Sequence, residues 1–415
     1  MATRATKTFF RKKYEFHWDI LDVIISGKSS IDSPAGFQMR LAEEAARFIE
    51  SYGYSVDNPI EKAELLGNFH EALSFARKYF LYPENPNGYH LEVPRKILEI
   101  TDIRDLLLMA GMHYPGQTHD TQGMALKNWA CSLLKIMHTI AHIDKDLRSS
   151  YFSDIQKQIF DRFYKVIQRD VDGTLYLGEK HEDPLRVNLA SFETKPKKSR
   201  ESTILKLLHK PENVAEDIFD RVGIRFTTHS RLDALRVVKW LKDKMLIIPP
   251  NIKPSRSRNT LVELDYFRQQ FGPLLEKSEN LGIPEEDLIK ELENIARAPS
   301  VSPNNPHSSE FYRAIQFTCR QLIKLQNPLY EDIKRLKSLA RSKNGGEEWT
   351  RAIDRIDLKY VQKEIRFFYP FEVQVVDTQS AEENERGRSA HSEYKKAQVI
   401  TAMRRVMGSF GDVIR

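Results

Sequence analysis

The sequence predicts an α+β chain. An all-helical N-terminal domain spans residues 1–170, and a mixed β-sheet domain with helices spans 171–415 and carries a helical insertion at about 248–306. Three observations predict it. Apolar residues in the first part recur at helical spacing. After Arg169 short β-type runs alternate with helical patterns, the texture of a sheet covered by helices. Prolines then bracket one stretch of the second part, Pro249, Pro250 and Pro254 before it and Pro299, Pro303 and Pro306 after it. That stretch reads as an insertion or lid.

In the first domain, Leu41, Ala45, Phe48, Ile49 and Tyr52 form one apolar stripe. The next helix starts at Asn58 as N-cap with Pro59 at its first position and Glu61 closing a capping box. It buries Leu65, Phe69, Leu73, Ala76 and Phe80 and is stopped by Pro83. Further helices fit Pro94–Ile100, Asp102–Met109, Met124 to about Leu147, and Ser153–Arg169. In the second domain the β-type runs are Thr174–Leu177, Val187–Phe192, Val222–Thr228, Phe311–Thr318 and Phe371–Val376. The helical patterns are Glu201–Lys210, Ser230–Lys244, Asp354–Phe367 and His391–Met407, with Val262–Leu275 and Pro284–Ala298 inside the insertion.

Composition narrows the function classes. With 40% hydrophobic and 29% charged residues the chain has the balance of an ordinary water-soluble protein. No apolar run approaches a membrane span and no secretory signal opens the chain, so a cytoplasmic protein without a membrane partner is expected. Two cysteines exclude a disulfide framework. A net charge of +6 permits an anionic ligand without by itself indicating nucleic acid. His138 and His142 lie one helical turn apart, but His138 and Asp146 are roughly 12 Å apart along a helix and cannot share one ion. A third ligand from elsewhere would be needed, and no HExxH arrangement is present.

Four blocks of the second domain carry chemistry. In PKKSRESTILKLLHK, Lys198 precedes a helix whose Ser202 and Lys206 are one turn apart, and a basic helix N-terminus attracts anions. In EDIFDRVGIRF, Asp220 stands before a strand that carries Arg225. SSEFYRAIQF holds Tyr312, Arg313 and Gln316. In YPFEVQVVDT, alternation puts Glu372 and Gln374 on one polar face, roughly 7 Å apart. The segment AHSEYKK adds His391, Tyr394 and Lys395 on one side of a helical turn.

In this order the blocks resemble the synthetase domain of the RelA/SpoT-type alarmone synthetases, a branch of the nucleotidyltransferase superfamily. DRVGIRF is similar to that family's D-x-x-G-I-R block, SRESTILKL to its S-x-x-x-K helix and FYRAIQF to its Y-R-x-x-H block. FEVQVVDT is similar to its E-[IV]-Q-[IV] strand, and SAHSEYKK to the segment that follows. The resemblance covers roughly Val187 to Lys396 without the insertion and does not reach the helical domain.

The resemblance implies a nucleotidyltransferase-like domain and a Mg²⁺-dependent pyrophosphokinase. It would move diphosphate from ATP to the 3′-hydroxyl of a nucleotide such as GDP or GTP. Asp220 and Glu372 would be the metal-binding and catalytic carboxylates, and Lys198, Lys206 and Arg225 would hold the ATP phosphates. Tyr312, Arg313, Gln374, His391, Tyr394 and Lys395 would line the acceptor side. The sequence departs from the pattern at Pro196, at Gln316 where the family has histidine, and at Val376 where it has arginine. These departures leave two further readings. One keeps the chemistry with an RNA 3′ end or an adenine nucleotide as acceptor, and the other is a non-catalytic nucleotide or RNA binder.

Overall fold

The computed structural model describes residues 25, 39–146, 148, 150–179, 185–195, 199–210, 221–299, 312–342, 347–386 and 391–410. In chain order its elements begin with helices α1 (Ala42–Tyr52), α2 (Pro59–Phe80), α3 (Arg95–Leu98), α4 (Ile103–Ala110), α5 (Thr121–Asp144) and α6 (Phe152–Tyr164). Strands β1 (Ile167–Arg169), β2 (Leu175–Leu177) and β3 (Val187–Thr194) follow, then α7 (Arg200–His209), β4 (Gly223–Thr228) and α8 (Arg231–Asp243). Next come β5 (Arg258–Asn259), α9 (Leu264–Leu281), α10 (Glu285–Ile295) and β6 (Ile315–Gln326). The last are α11 (Pro328–Ala340), α12 (Glu347–Asp354), β7 (Glu364–Asp377), α13 (Thr378–Arg386) and α14 (His391–Met407). Among the described residues no helix is long and apolar enough to cross a membrane.

The chain divides into two units, one of Met1–Ser150, Lys198–Ile218 and His391–Arg415, the other of Tyr151–Lys197 and Phe219–Ala390. The first unit is helical. Its core joins Phe69, Phe80, Leu107, Trp129 and Ile136 to Ile204, Leu207 and Leu208 of α7 and to Ala402, Val406 and Met407 of α14. Polar contacts tie the late segments in. The Ser132 hydroxyl donates to the Val406 carbonyl at 3.1 Å, and the Arg405 guanidinium donates to the carbonyls of Leu208 and Lys210. Arg200 bridges Glu71 and Asp144. The Asn58 cap forms as expected, its side chain accepting from the Ile60 N–H. Glu61 instead bonds the Asn58 side-chain amide and the Ser55 N–H.

The second unit is built on a mixed seven-stranded sheet in the order β1-β2-β3-β4-β7-β6-β5. β4 and β7 run parallel and the other neighbours antiparallel. Phe371, Val373 and Val375 of β7 are fully buried and meet Ile224 and Phe226 of β4, Val237 and Trp240 of α8, and α6. Phe163 of α6 lies 5.8 Å from the Phe371 ring and 6.3 Å from the Phe226 ring.

Three expectations change. Residues 152–164 belong with the sheet, so the division does not fall at 170, and Lys198–Ile218 and His391–Arg415 return to the helical unit. Periodicity shows that a helix has an apolar face, not which core receives it. The pattern read as one helix over Asp354–Phe367 contains a short 3₁₀ turn at Leu358–Tyr360, and β7 begins at Glu364. Pairing with β6 all the way to Gln326↔Glu364 overrides the local helical pattern. Where a run was expected over Phe311–Thr318, β6 spans Ile315–Gln326 for the same reason, and Phe311 lies outside the described residues. Among its described residues the insertion has no core of its own: Leu261, Val262 and Ala296 enter the sheet's core, and β5 supplies its edge strand.

In the first unit the Tyr52 hydroxyl and His138 Nδ1 are 2.7 Å apart, and the His138 and His142 rings 4.3 Å apart. Burial, then the neighbouring His142, push the His138 pKa down to about 4. The fold therefore holds this imidazole neutral, a contribution present above the ordinary histidine pKa of about 6.5 and lost as pH falls toward 4. The urea midpoint should drop between those pH values, and His138→Gln should flatten the drop; an unchanged slope in the variant would show that His138 is not the group responsible.

Candidate functional site

The polar face of the sheet's centre holds the candidate site. Residues opposite one another on neighbouring strands point to the same face. The register therefore lays Glu193, Arg225, Gln374, Gln316 and Arg258 in one row across five strands. The next row holds Gly223, Glu372 and Thr318. Glu372 is only 7% exposed and Gln374 4%. A carboxylate so placed requires partners, because an unpaired buried charge is strongly unfavourable.

Both carboxylate oxygens are engaged. Lys195 Nζ donates to Oε1 at 2.6 Å, and Gln316 Nε2 donates to Oε2 at 2.5 Å. Lys195 follows β3 directly, and its N–H donates to the Gly223 carbonyl at 2.8 Å, which steers the side chain across β4. Gly223 makes room for it: a Cβ there would meet Lys195 Cδ at 2.6 Å. On the other side the Glu372 N–H donates to the Val222 carbonyl at 2.9 Å.

Tyr312 and Gln374 form the adjoining pair, the amide Nε2 donating to the phenol oxygen. Burial raises the Tyr312 pKa, while the charges of Lys195 and Arg225 oppose that rise. The phenol is therefore a neutral group within the field of Lys195, Arg225 and Glu372. The Asn384 side chain clamps the next residue, accepting from the Arg313 N–H at 3.0 Å and donating to its carbonyl at 2.8 Å. Glu385, one residue on, pairs with Arg225 at 3.6 Å. The buried Arg225 Nε and Arg313 Nη1 have no hydrogen-bond partner among the described residues.

Five expected site residues thus share this unit: Glu372, Gln374, Arg225, Tyr312 and Arg313. Lys206 on α7, and His391, Tyr394 and Lys395 at the start of α14, are carried by the helical unit. Asp220 and Lys198 lie outside the described residues. Sequence reasoning did not assign Lys195, Asn384 or Glu385 to the site, and it named Gln316 in a block without giving it a role. Gln316 stands where the resembled block has histidine, and only the strand register shows that it faces Glu372.

A divalent cation can be tested against this donor set. Among the described residues no group of three or more His, Cys, Asp or Glu side chains could hold a metal ion alone. Mg²⁺ bound with nucleotide takes one or two carboxylates, the rest of its shell being water and phosphate oxygen. Glu372 fits that role once Lys195 yields an oxygen. No protein-family model matches the chain, and no curated protein matches it.

The ion pair is asymmetric, with the Lys195 side chain 37% exposed and that of Glu372 10%. Lys195→Met should therefore destabilise the protein by about 1–3 kcal/mol, since it strands the buried carboxylate. Glu372→Gln should cost less, because water still reaches the ammonium. Equal losses in chemical denaturation, or a larger one for Glu372→Gln, would contradict the asymmetry.

Proposed function

We propose that the sheet unit is a nucleotidyltransferase-like domain that acts as a magnesium-dependent pyrophosphokinase. On this reading it moves the β,γ-diphosphate of ATP to the 3′-hydroxyl of a nucleotide, most simply GDP or GTP, as the RelA/SpoT-type synthetases do. One observation supports it above the others: Glu372 is buried at the centre of the sheet face, held on one oxygen by Lys195 and on the other by Gln316. The order of the sequence blocks supplies the reaction class.

In this reading the 3′-hydroxyl loses its proton to Glu372 as its oxygen bonds to the β-phosphorus of ATP. The bridge between the α- and β-phosphates breaks, and AMP leaves with the bridging oxygen. Lys195, released from Glu372 by the incoming hydroxyl, turns its charge to the phosphates. Arg225 and Arg313 offer buried N–H groups that have no partner among the described residues and suit phosphate oxygens. Tyr312 presents its ring to the acceptor base, positioned through Gln374 and the Asn384 clamp on Arg313. Glu372 and Asp220 would hold Mg²⁺, which would neutralise charge on the transferring phosphates. On this reading the protein works in the cytoplasm, where such nucleotides are available.

A second reading, nucleotide binding without transfer, is favoured by the occupation of both Glu372 oxygens. Incubation with γ-labelled ATP, Mg²⁺ and a panel of GDP, GTP, AMP, ADP and bulk tRNA separates the two. The pyrophosphokinase labels an acceptor, and Glu372→Gln lowers turnover by roughly 10²–10⁴ while ATP still binds. No label on any acceptor, with Glu372→Gln binding ATP at least as tightly as the parent, would establish the binder.

A further inference from the structure

The face that carries Glu372 does not end with the sheet. β4 pairs only with the Glu372–Asp377 end of β7, whereas β6 and β7 remain paired as far as Gln326 and Glu364. Their outer halves form a two-stranded ribbon. One side of it is closed, with Ile323 and Leu325 buried in the core that includes α6. The Gln158 amide of α6 donates to the Lys324 carbonyl at 2.8 Å, and Arg162 donates to the Gln321 side chain at 2.9 Å.

The opposite side is open. Leu322 and Phe368 face each other across the strands and are 40% and 53% exposed. Lys324 and Arg366 form the next pair outward, and Arg320 lies opposite Pro370 on the inward side. Successive pairs on one face are about 7 Å apart. Arg320, Lys324 and Arg366 share this face with one carboxylate, Glu364, which Arg366 engages at 2.7 Å. An exposed aromatic ring bounded on both sides by cations is thus presented on a ribbon backed by α6.

We propose that this ribbon face binds single-stranded nucleic acid, a base stacking on Phe368 while Arg320 and Lys324 meet the flanking phosphates. Aromatic platforms among basic side chains hold single strands in this way, with little dependence on sequence. The apolar area is one cross-strand pair hemmed by cations, whereas the core of a protein interface is depleted of lysine. Pro370 and Glu372, both buried, continue the same face toward the candidate site. Binding here does not depend on the proposed transfer.

Fluorescence anisotropy with labelled oligouridine and oligothymidine of roughly 12 nucleotides, without ATP or Mg²⁺, tests it. Binding is expected, with a log–log salt slope of about −1.4 for the two phosphate contacts on a single strand. Phe368→Ala should weaken it by roughly 5- to 100-fold, Phe368→Tyr should restore it, and Lys324→Glu should flatten the salt slope. Preference for oligouridine would assign RNA as the ligand, and equal affinity would assign single strands of either kind. Because Phe368 is exposed, its alanine variant should keep the parent's circular dichroism and melting, which serve as the folding control. Absence of binding, or equal binding by a folded Phe368→Ala, would overturn the proposal. Oligomers that Phe368→Ala dissociates, with no oligonucleotide bound, would overturn it in favour of a second copy on this face.

Discussion

Backbone pairing along both edges of β7 is the constraint on which the sheet unit depends. One edge takes β4 in parallel and the other takes β6 antiparallel, so the strand's side chains are committed face by face. Phe371, Val373 and Val375 fill the core against α6 and α8, while Glu372 and Gln374 are held on the opposite face. A register slip by one residue would place Glu372 in the core and Phe371 beside Lys195. The packing that stabilises the domain therefore also positions its candidate chemistry.

Electrostatics refines that position. Burial of Glu372 is tolerated because Lys195 supplies a charge and Gln316 a second donor, and Gly223 lets the lysine cross close to β4. The helix α13 contacts both neighbours of the site, Asn384 bonding the main chain of Arg313 and Glu385 pairing with Arg225 on β4. Those two contacts fix the carboxylate at the centre of the sheet's polar face.

Much of the secondary structure was legible because its signals are local. The Asn58–Pro59 start of α2, the stripe buried from Phe69 to Phe80 and the alternation in β7 all follow from neighbouring residues. What was not legible depends on distant partners. The apolar face of α6 is evident, but its packing against Phe226 and Phe371 rather than the helical core is not. The outer half of β7 has a mixed pattern that only pairing with β6 resolves as strand. For the candidate site, strand alternation and the ordered blocks single out Glu372, Gln374, Arg225, Tyr312 and Arg313, which the structure carries in one unit. Lys195 escaped because it follows its strand in a lysine-rich stretch, and Asn384 because nothing in its neighbours ties it to Arg313.

The central claim is that Glu372 belongs to a nucleotide-phosphate centre that uses a divalent cation. Electron paramagnetic resonance with Mn²⁺ in place of Mg²⁺, together with an ATP analogue whose α,β-bridge is a methylene, tests it without requiring turnover. The wild-type protein should immobilise Mn²⁺ only when the analogue is present, and Glu372→Gln should lose that signal while remaining folded. An identical Mn²⁺ signal in the two proteins, or none in the wild type at saturating analogue, would contradict the account.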